Sequence, residues 1–148
     1  MAPDSLPLYE FVPGRIKLRI DVSMSAEVES ISPVVAGILA MAAQMQCASG
    51  KELEVETALR EALANAITHG CNCDPNQVIH CSVACDEQHG ILIIVRDPGN
   101  GYDPLGIPSP LVGENIFSNH GRGIFLINQL MDEVHIRRNG AEIVMRKR

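Results

Sequence analysis

Residues 91–95, Ile-Leu-Ile-Ile-Val, are apolar without a break. A strand sends successive side chains to opposite faces, so a strand at the surface alternates apolar with polar. When both sets are apolar, the run predicts a central strand covered on both sides. The rest of the chain must therefore build a sheet around this run and layers to cover it.

The remaining elements can be read in order. Residues 15–22, Arg-Ile-Lys-Leu-Arg-Ile-Asp-Val, alternate, which places Ile16, Leu18, Ile20 and Val22 on one face of a half-buried strand. Ser25 or Ser32 can cap a first helix, and Pro33 suits a first helical position. The segment from Val34 to about Gln46 is rich in Ala and Met and mostly apolar, which predicts packing on both sides or against a partner. Ala48-Ser49-Gly50 stops it. A second helix is expected from about Leu53 to His69, with Gly70 just past its end. Its Leu59, Leu63, Ala66 and Ile67 form one core-facing stripe.

Residues 71–76 read as a turn, and 78–86 and 91–97 as strands joined by Glu87-Gln88-His89-Gly90. From Pro98 to Gly123 there are six Gly and four Pro and no apolar period, a composition suited to a functional lid. A helix is expected from about Ile124 to Met131. A hairpin then follows, 134–138 and 141–147, turning at Asn139-Gly140. Hairpin strands and grouped helices together predict an α+β sandwich, with one mixed, mainly antiparallel sheet and helices on one face. Residues 1–14 hold three prolines and no periodicity, so a flexible arm is expected there, followed by a single domain over 15–148.

Charge and composition exclude several classes. The net charge is −6 and the only basic cluster is Arg146-Lys147-Arg148, so no direct nucleic-acid partner is expected. Aromatic residues make up 3% and Trp is absent, which leaves little for base stacking. No apolar run approaches about 18 residues, so no membrane span is expected. The first residues lack a basic segment followed by an apolar one, which leads to the expectation of a cytoplasmic protein. Five cysteines (47, 71, 73, 81 and 85) are then expected as ordinary thiols. Cys71 and Cys73, near His69 and His80, lack the spacing of a zinc site.

Three clusters can carry chemistry. Glu61 and Asn65 are four apart on the second helix, roughly opposite its apolar stripe. They are either a solvated pair or a carboxylate that deprotonates a hydroxyl beside an amide oxygen that ligates a hard cation such as Mg²⁺. His69 extends this face, where the helix dipole favours a cation. Asp97-Pro98-Gly99-Asn100-Gly101 comes directly after the buried strand. It is a tight turn, or a carboxylate for an exocyclic amine with glycines that let backbone approach a flat ligand. His120-Gly121-Arg122-Gly123 precedes a helix. It is a hinge, or a phosphate site formed by free N–H groups with Arg122 beside them.

The order of these pieces resembles the N, G1 and G2 boxes of the GHKL ATP-binding superfamily. The stretches REALANAITHG, IIVRDPGNGYDP and GRGIFLINQLMDEV are similar to those of the single-domain anti-sigma factor serine/threonine kinases of bacteria. The resemblance spans about residues 15–147. It implies the GHKL two-layer α/β sandwich, binding of ATP with Mg²⁺, and phosphoryl transfer. Asn65 is implied as the Mg²⁺ ligand and ATP contact, and Glu61 as the general base. Asp97 would recognise the adenine amine, with Gly99 and Gly101 beside the base. Gly121, Arg122 and Gly123 would lie at the phosphates, under a lid over about 102–123. The implied partners are a sigma factor and an anti-sigma factor antagonist protein, whose phosphorylation switches the partner, and a homodimer is common in such proteins. The alternative is a nucleotide-binding interaction module without kinase activity. Two departures stand out. Ala141 occupies the place where many members carry a Thr, and Pro104, Pro108 and Pro110 stiffen the lid.

Overall fold

The computed structural model describes residues 13–99 and 119–148, with only the backbone of Pro13 and of residues 119–122. The elements come in the expected order. They are β1 (Leu18–Ser25), α1 (Ile31–Gln44), α2 (Glu52–Asn65), β2 (Val78–Asp86), β3 (Gly90–Arg96), α3 (Asn119–Leu130), β4 (Glu133–Arg137) and β5 (Glu142–Lys147). The sheet order is β1-β2-β3-β5-β4, and every described pairing is antiparallel.

β3 is the central strand, and Ile91 through Val95 are all buried, as their composition requires. Its register aligns Ile20, Val83, Ile93 and Met145 in one row under the helices. That face meets Val35 and Ile38 of α1, Leu59 and Leu63 of α2, and Ile127 of α3 in the main core. Each such side chain contributes about 1.5–3 kcal/mol by leaving water. The opposite face carries a smaller buried cluster, Ala84, Leu92, Ile94 and Val144. On this face Arg96 lies across from Glu142, and its Nε donates to Oε2 at 2.7 Å. This pair fixes the end of β3, one residue before Asp97.

Several expectations need correction. β1 starts three residues late. A 3₁₀ turn at Pro13–Arg15 redirects the chain, and Ile16 packs on the second cluster instead of the main core. α1 begins at Ile31 and buries only Ile31, Val35, Ile38 and Ala42; its outer face, including Met41 and Gly37, is exposed. α2 proper ends at Asn65 and continues as a single π turn, Ala66–Gly70, closed by Cys71 N–H donating to Ala66 O at 2.9 Å. Gly70 is not a left-handed cap, since no positive φ occurs there. The last hairpin does turn at Asn139-Gly140, but pairing stops at Arg137–Glu142, so Arg138 and Ala141 join the turn.

The cysteines depart furthest from expectation. Cys47 and Cys85 form a disulfide with Cα atoms 6.3 Å apart, and Cys71, Cys73 and Cys81 remain thiols. The two are 38 residues apart in sequence, so only the fold brings the α1–α2 loop onto the end of β2. Burial, and then Asp21, push the Cys81 thiol up to about 12, so it is inert at neutral pH. No helix among the described residues is long and apolar enough to cross a membrane.

Candidate nucleotide site

Glu61 and Asn65 sit one turn apart at the end of α2, where the helix gives way to the π turn. Such a turn inserts one extra residue into a helix and redirects the chain beyond it. The face that carries them is not open to solvent, as a surface pair would be, because α3 lies along it. A methyl group built on Gly123 would come within 3.0 Å of Glu61 Oε2 and 3.2 Å of Asn65 Nδ2. A side chain at Gly123 would make the ends of Glu61 and Asn65 give by a few tenths of an ångström.

Asn65 is 6% exposed, and its Nδ2 has no hydrogen-bond partner among the described residues. A buried amide left unpaired costs about 1–3 kcal/mol. Nothing among the described residues supplies the partner, which fits a side chain held ready for a ligand. Among the described residues no three His, Cys, Asp or Glu side chains cluster closely enough to hold a metal by themselves. A cation bound through the Asn65 amide oxygen would take its other ligands from phosphate and water, the habit of Mg²⁺.

Asp97 stands directly after β3. Its backbone N–H donates to Ala141 O at 2.9 Å, and its Oδ1 accepts the Gly99 N–H at 2.8 Å. The carboxylate rests on the backbone of Gly70, where any side chain would collide with it, and Gly99 is equally close to the Gly70 carbonyl. Burial raises the Asp97 pKa above its ordinary value, against the Gly99 N–H, which lowers it. An acceptor this short of donors suits an N–H-bearing ligand. Asn65, Ala66, Val95, Asp97, Ala141 and Ile143 line one cleft. Its lining is apolar apart from Asn65 and Asp97.

The fold thus brings Glu61, Asn65, Asp97, Gly99 and Gly123 together. Gly121 and Gly123 lie inside the first turns of α3, which begins at Asn119 and not near Ile124. Two glycines disguise a helix start in a sequence, since each disfavours helix by about 1 kcal/mol. Gly101, the Arg122 side chain and the stretch 102–118 of the expected lid lie outside the described residues, as do residues 1–12 of the expected arm. His69 falls in the π turn, half-buried, and burial lowers its pKa, opposite to the dipole effect expected at a helix end. Ala141 does line the cleft beside Asp97, with a methyl in the place where many relatives of the resembled family carry a hydroxyl. Sequence reasoning missed Gly70, which resembles an ordinary helix stop. The only signal is that this glycine lies one turn beyond the Glu61–Asn65 face.

Residues 24–147 match the histidine kinase-like ATPase domain family. The chain is 32% identical over 139 residues to an anti-sigma F factor of Clostridium perfringens (strain SM101 / Type A), covering 89% of this chain and 96% of that protein. It is 30% identical over 129 residues to the anti-sigma F factor of Anoxybacillus flavithermus, covering 82% and 83%. The Geobacillus thermodenitrificans anti-sigma F factor is 31% identical over 128 residues, covering 81% and 82%. With a match over most of its length and a cleft of this construction, the chain belongs to the histidine kinase-like ATPase domain family.

Proposed function

We propose that this protein is an ATP-dependent serine/threonine protein kinase that acts as an anti-sigma factor, phosphorylating an anti-sigma factor antagonist in a partner-switching system. The observation that carries the reading is the shared wall of one cleft. Asp97 stands at one end, while Asn65, with Glu61 one turn behind it, meets the backbone of Gly123 at the other. The names of the relatives, anti-sigma F factor, support the regulatory role and a sigma factor as partner. In this reading residues 15–148 are one kinase domain after an arm at 1–14, with a lid over about 102–123, and the protein acts in the cytoplasm, alone or as a homodimer.

Mg-ATP, when bound, supplies the phosphoryl group and neutralises its charge. The chain's own residues do the rest. Asp97 accepts an N–H of the adenine amine, with Gly99 and Gly101 close to the base. Asn65 offers its amide oxygen to Mg²⁺. Gly121 and Arg122, in the first turn of α3, would present backbone N–H groups and the Arg122 guanidinium to the phosphates, with Gly123 close beside them. Glu61 takes the proton of the substrate hydroxyl, and positioning does most of the remaining catalysis.

The test has two stages. A ligand that binds only the native state stabilises it by about 2.7 kcal/mol at a hundredfold excess over its dissociation constant. Thermal unfolding should therefore shift with Mg-ATP and not with Mg-GTP, and Asn65→Ala should abolish the shift. Phosphate transfer to a purified antagonist is then followed by mass spectrometry, and Glu61→Gln should keep the shift and lose the transfer. A shift without transfer from the native chain would leave a nucleotide-binding interaction module.

A further inference from the structure

The helices cover one face of the sheet, yet the other face is closed to water as well. Leu92, Ile94 and Val144, at its centre, are 1%, 3% and 1% exposed, and Arg146, across from Leu92, is 1% exposed. Neighbouring strands, about 4.8 Å away, shield the flanks of a side chain; a layer stacked above it, about 10 Å from the sheet, shields its tip. Among the described residues, Ile16 is the one apolar side chain that packs on this cluster from outside it. The arginines of this face reach along the sheet, Arg96 to Glu142 and Arg146 to Glu133. One isoleucine is too little to cap three strands, so a further piece of chain lies over them.

The geometry at the edges of the described residues selects that piece. Gly99 sits against the Gly70 carbonyl, and Gly123 of α3 sits against Glu61 and Asn65. Both places belong to the helix layer, so the stretch between them starts and ends on the wrong side of the sheet. The N-terminal end does the opposite. The backbone N–H of Lys17 donates to Cys85 O at 2.8 Å, one residue from Ala84 of the cluster, and Ile16 already lies on it. The 3₁₀ turn Pro13–Arg15 comes just before.

The composition ahead of that turn suits a cover. Residues 6–12 are Leu-Pro-Leu-Tyr-Glu-Phe-Val, in which Leu6, Leu8, Tyr9, Phe11 and Val12 are apolar and Glu10 is the one charge. Twelve extended residues reach about 40 Å, and five strands span about 19 Å. Pro3 and Pro7 remove ladder donors, which a strand of the sheet would need and a layer above it does not.

We propose that residues 6–12 lie across this second face as a strap, their apolar side chains seated over Leu92, Ile94 and Val144. The face is then closed by the chain's own N-terminus and is not a surface for a second copy.

The test uses the full chain without substitution. Its aromatic residues are Tyr9, Phe11, Tyr102, Phe117 and Phe125, few enough to assign each ring. Nuclear Overhauser cross-peaks should join the rings of Tyr9 or Phe11 to methyls of Leu92, Ile94 or Val144. They should be absent from an isotope-filtered spectrum of mixed labelled and unlabelled chains. Cross-peaks from Tyr102 or Phe117 instead give the face to the stretch between Gly99 and Asn119, and cross-peaks between chains give it to a second copy; either overturns the proposal. Chymotrypsin supplies a second reading, because cutting after Tyr9 and Phe11 tracks the undocked population. It should be about tenfold or more slower in the full chain than in a peptide of residues 1–14, a tenfold ratio corresponding to about 1.4 kcal/mol. Equal rates in chain and peptide overturn the strap.

Discussion

The backbone N–H of Asp97 donates to the carbonyl of Ala141 at 2.9 Å. This bond extends the β3–β5 ladder by one step beyond Arg96–Glu142 and holds Asp97 at the cleft, with its carboxylate against Gly70. It also brings the Ala141 methyl beside Asp97. Ala141→Ser should add a hydroxyl to that wall and tighten ATP by about two- to tenfold, the value of one net hydrogen bond. Isothermal titration of the variant checks this, and unchanged affinity would place the base elsewhere.

Asp97 itself separates binding from folding. Burial raises its pKa above the ordinary 3.8. The stability tied to its neutral form is fully present below 3.8 and lost as pH rises through the raised native value. At pH near 7 the native chain thus carries a cost that Asp97→Asn lacks. Without nucleotide, the variant's Tm should equal or exceed the native one near neutrality and lose that advantage near pH 3. ATP affinity should drop by about tenfold or more, since a charged acceptor is lost. A lower Tm at neutral pH would make Asp97 a structural residue.

Two glycines in helices should respond with opposite sign. At Gly37 in α1 an added methyl meets nothing within 4 Å, so Gly37→Ala should stabilise by about 0.5–1 kcal/mol. At Gly123 the same change in a helix presses on Glu61 and Asn65. Gly123→Ala should therefore forfeit the helix gain and weaken the Mg-ATP shift. Urea unfolding of both, with and without Mg-ATP, checks the pair, and equal stabilisation would mean that α3 stands clear of α2.

Acid should act through Asp86. Burial alone would raise its pKa, but the His89 ring, the His89 backbone N–H and the Gln88 N–H together hold it below 3.8. Its contribution is present above that value and lost as pH falls through the lower native one. The urea midpoint of the native chain should fall between about pH 4 and pH 2 more steeply than that of Asp86→Asn. Parallel curves would show that the His89 contacts carry no linkage.

Much of the fold and site is legible in the chain. Ile91–Val95 locates the centre of the sheet because a strand's two faces are read directly from composition, and Leu59, Leu63, Ala66 and Ile67 are buried as their helical spacing requires. The E-x-x-x-N and D-x-G spacings single out Glu61, Asn65, Asp97 and Gly99 without any geometry. Whatever depends on contacts between distant segments is not legible. The Cys47–Cys85 bond, the pressure of Gly123 on Glu61 and the seat of Asp97 on Gly70 all arise from tertiary approach, which no local pattern encodes. The start of α3 is hidden for a related reason, because its glycines serve helix packing at the expense of helix propensity.

The π turn at Ala66–Gly70 sets how this chain tolerates change in length. It adds one residue to the helix after Asn65 without moving Asn65 itself. Deleting a residue between 66 and 69 would give a more regular helix by local criteria. It would also rotate everything downstream by about 100° and carry Gly70 out from under Asp97. The segment that is least ideal as a helix is thus the one that fixes the phase between the two halves of the cleft. Insertions and deletions should be excluded there while remaining harmless in the turn at Glu87–His89.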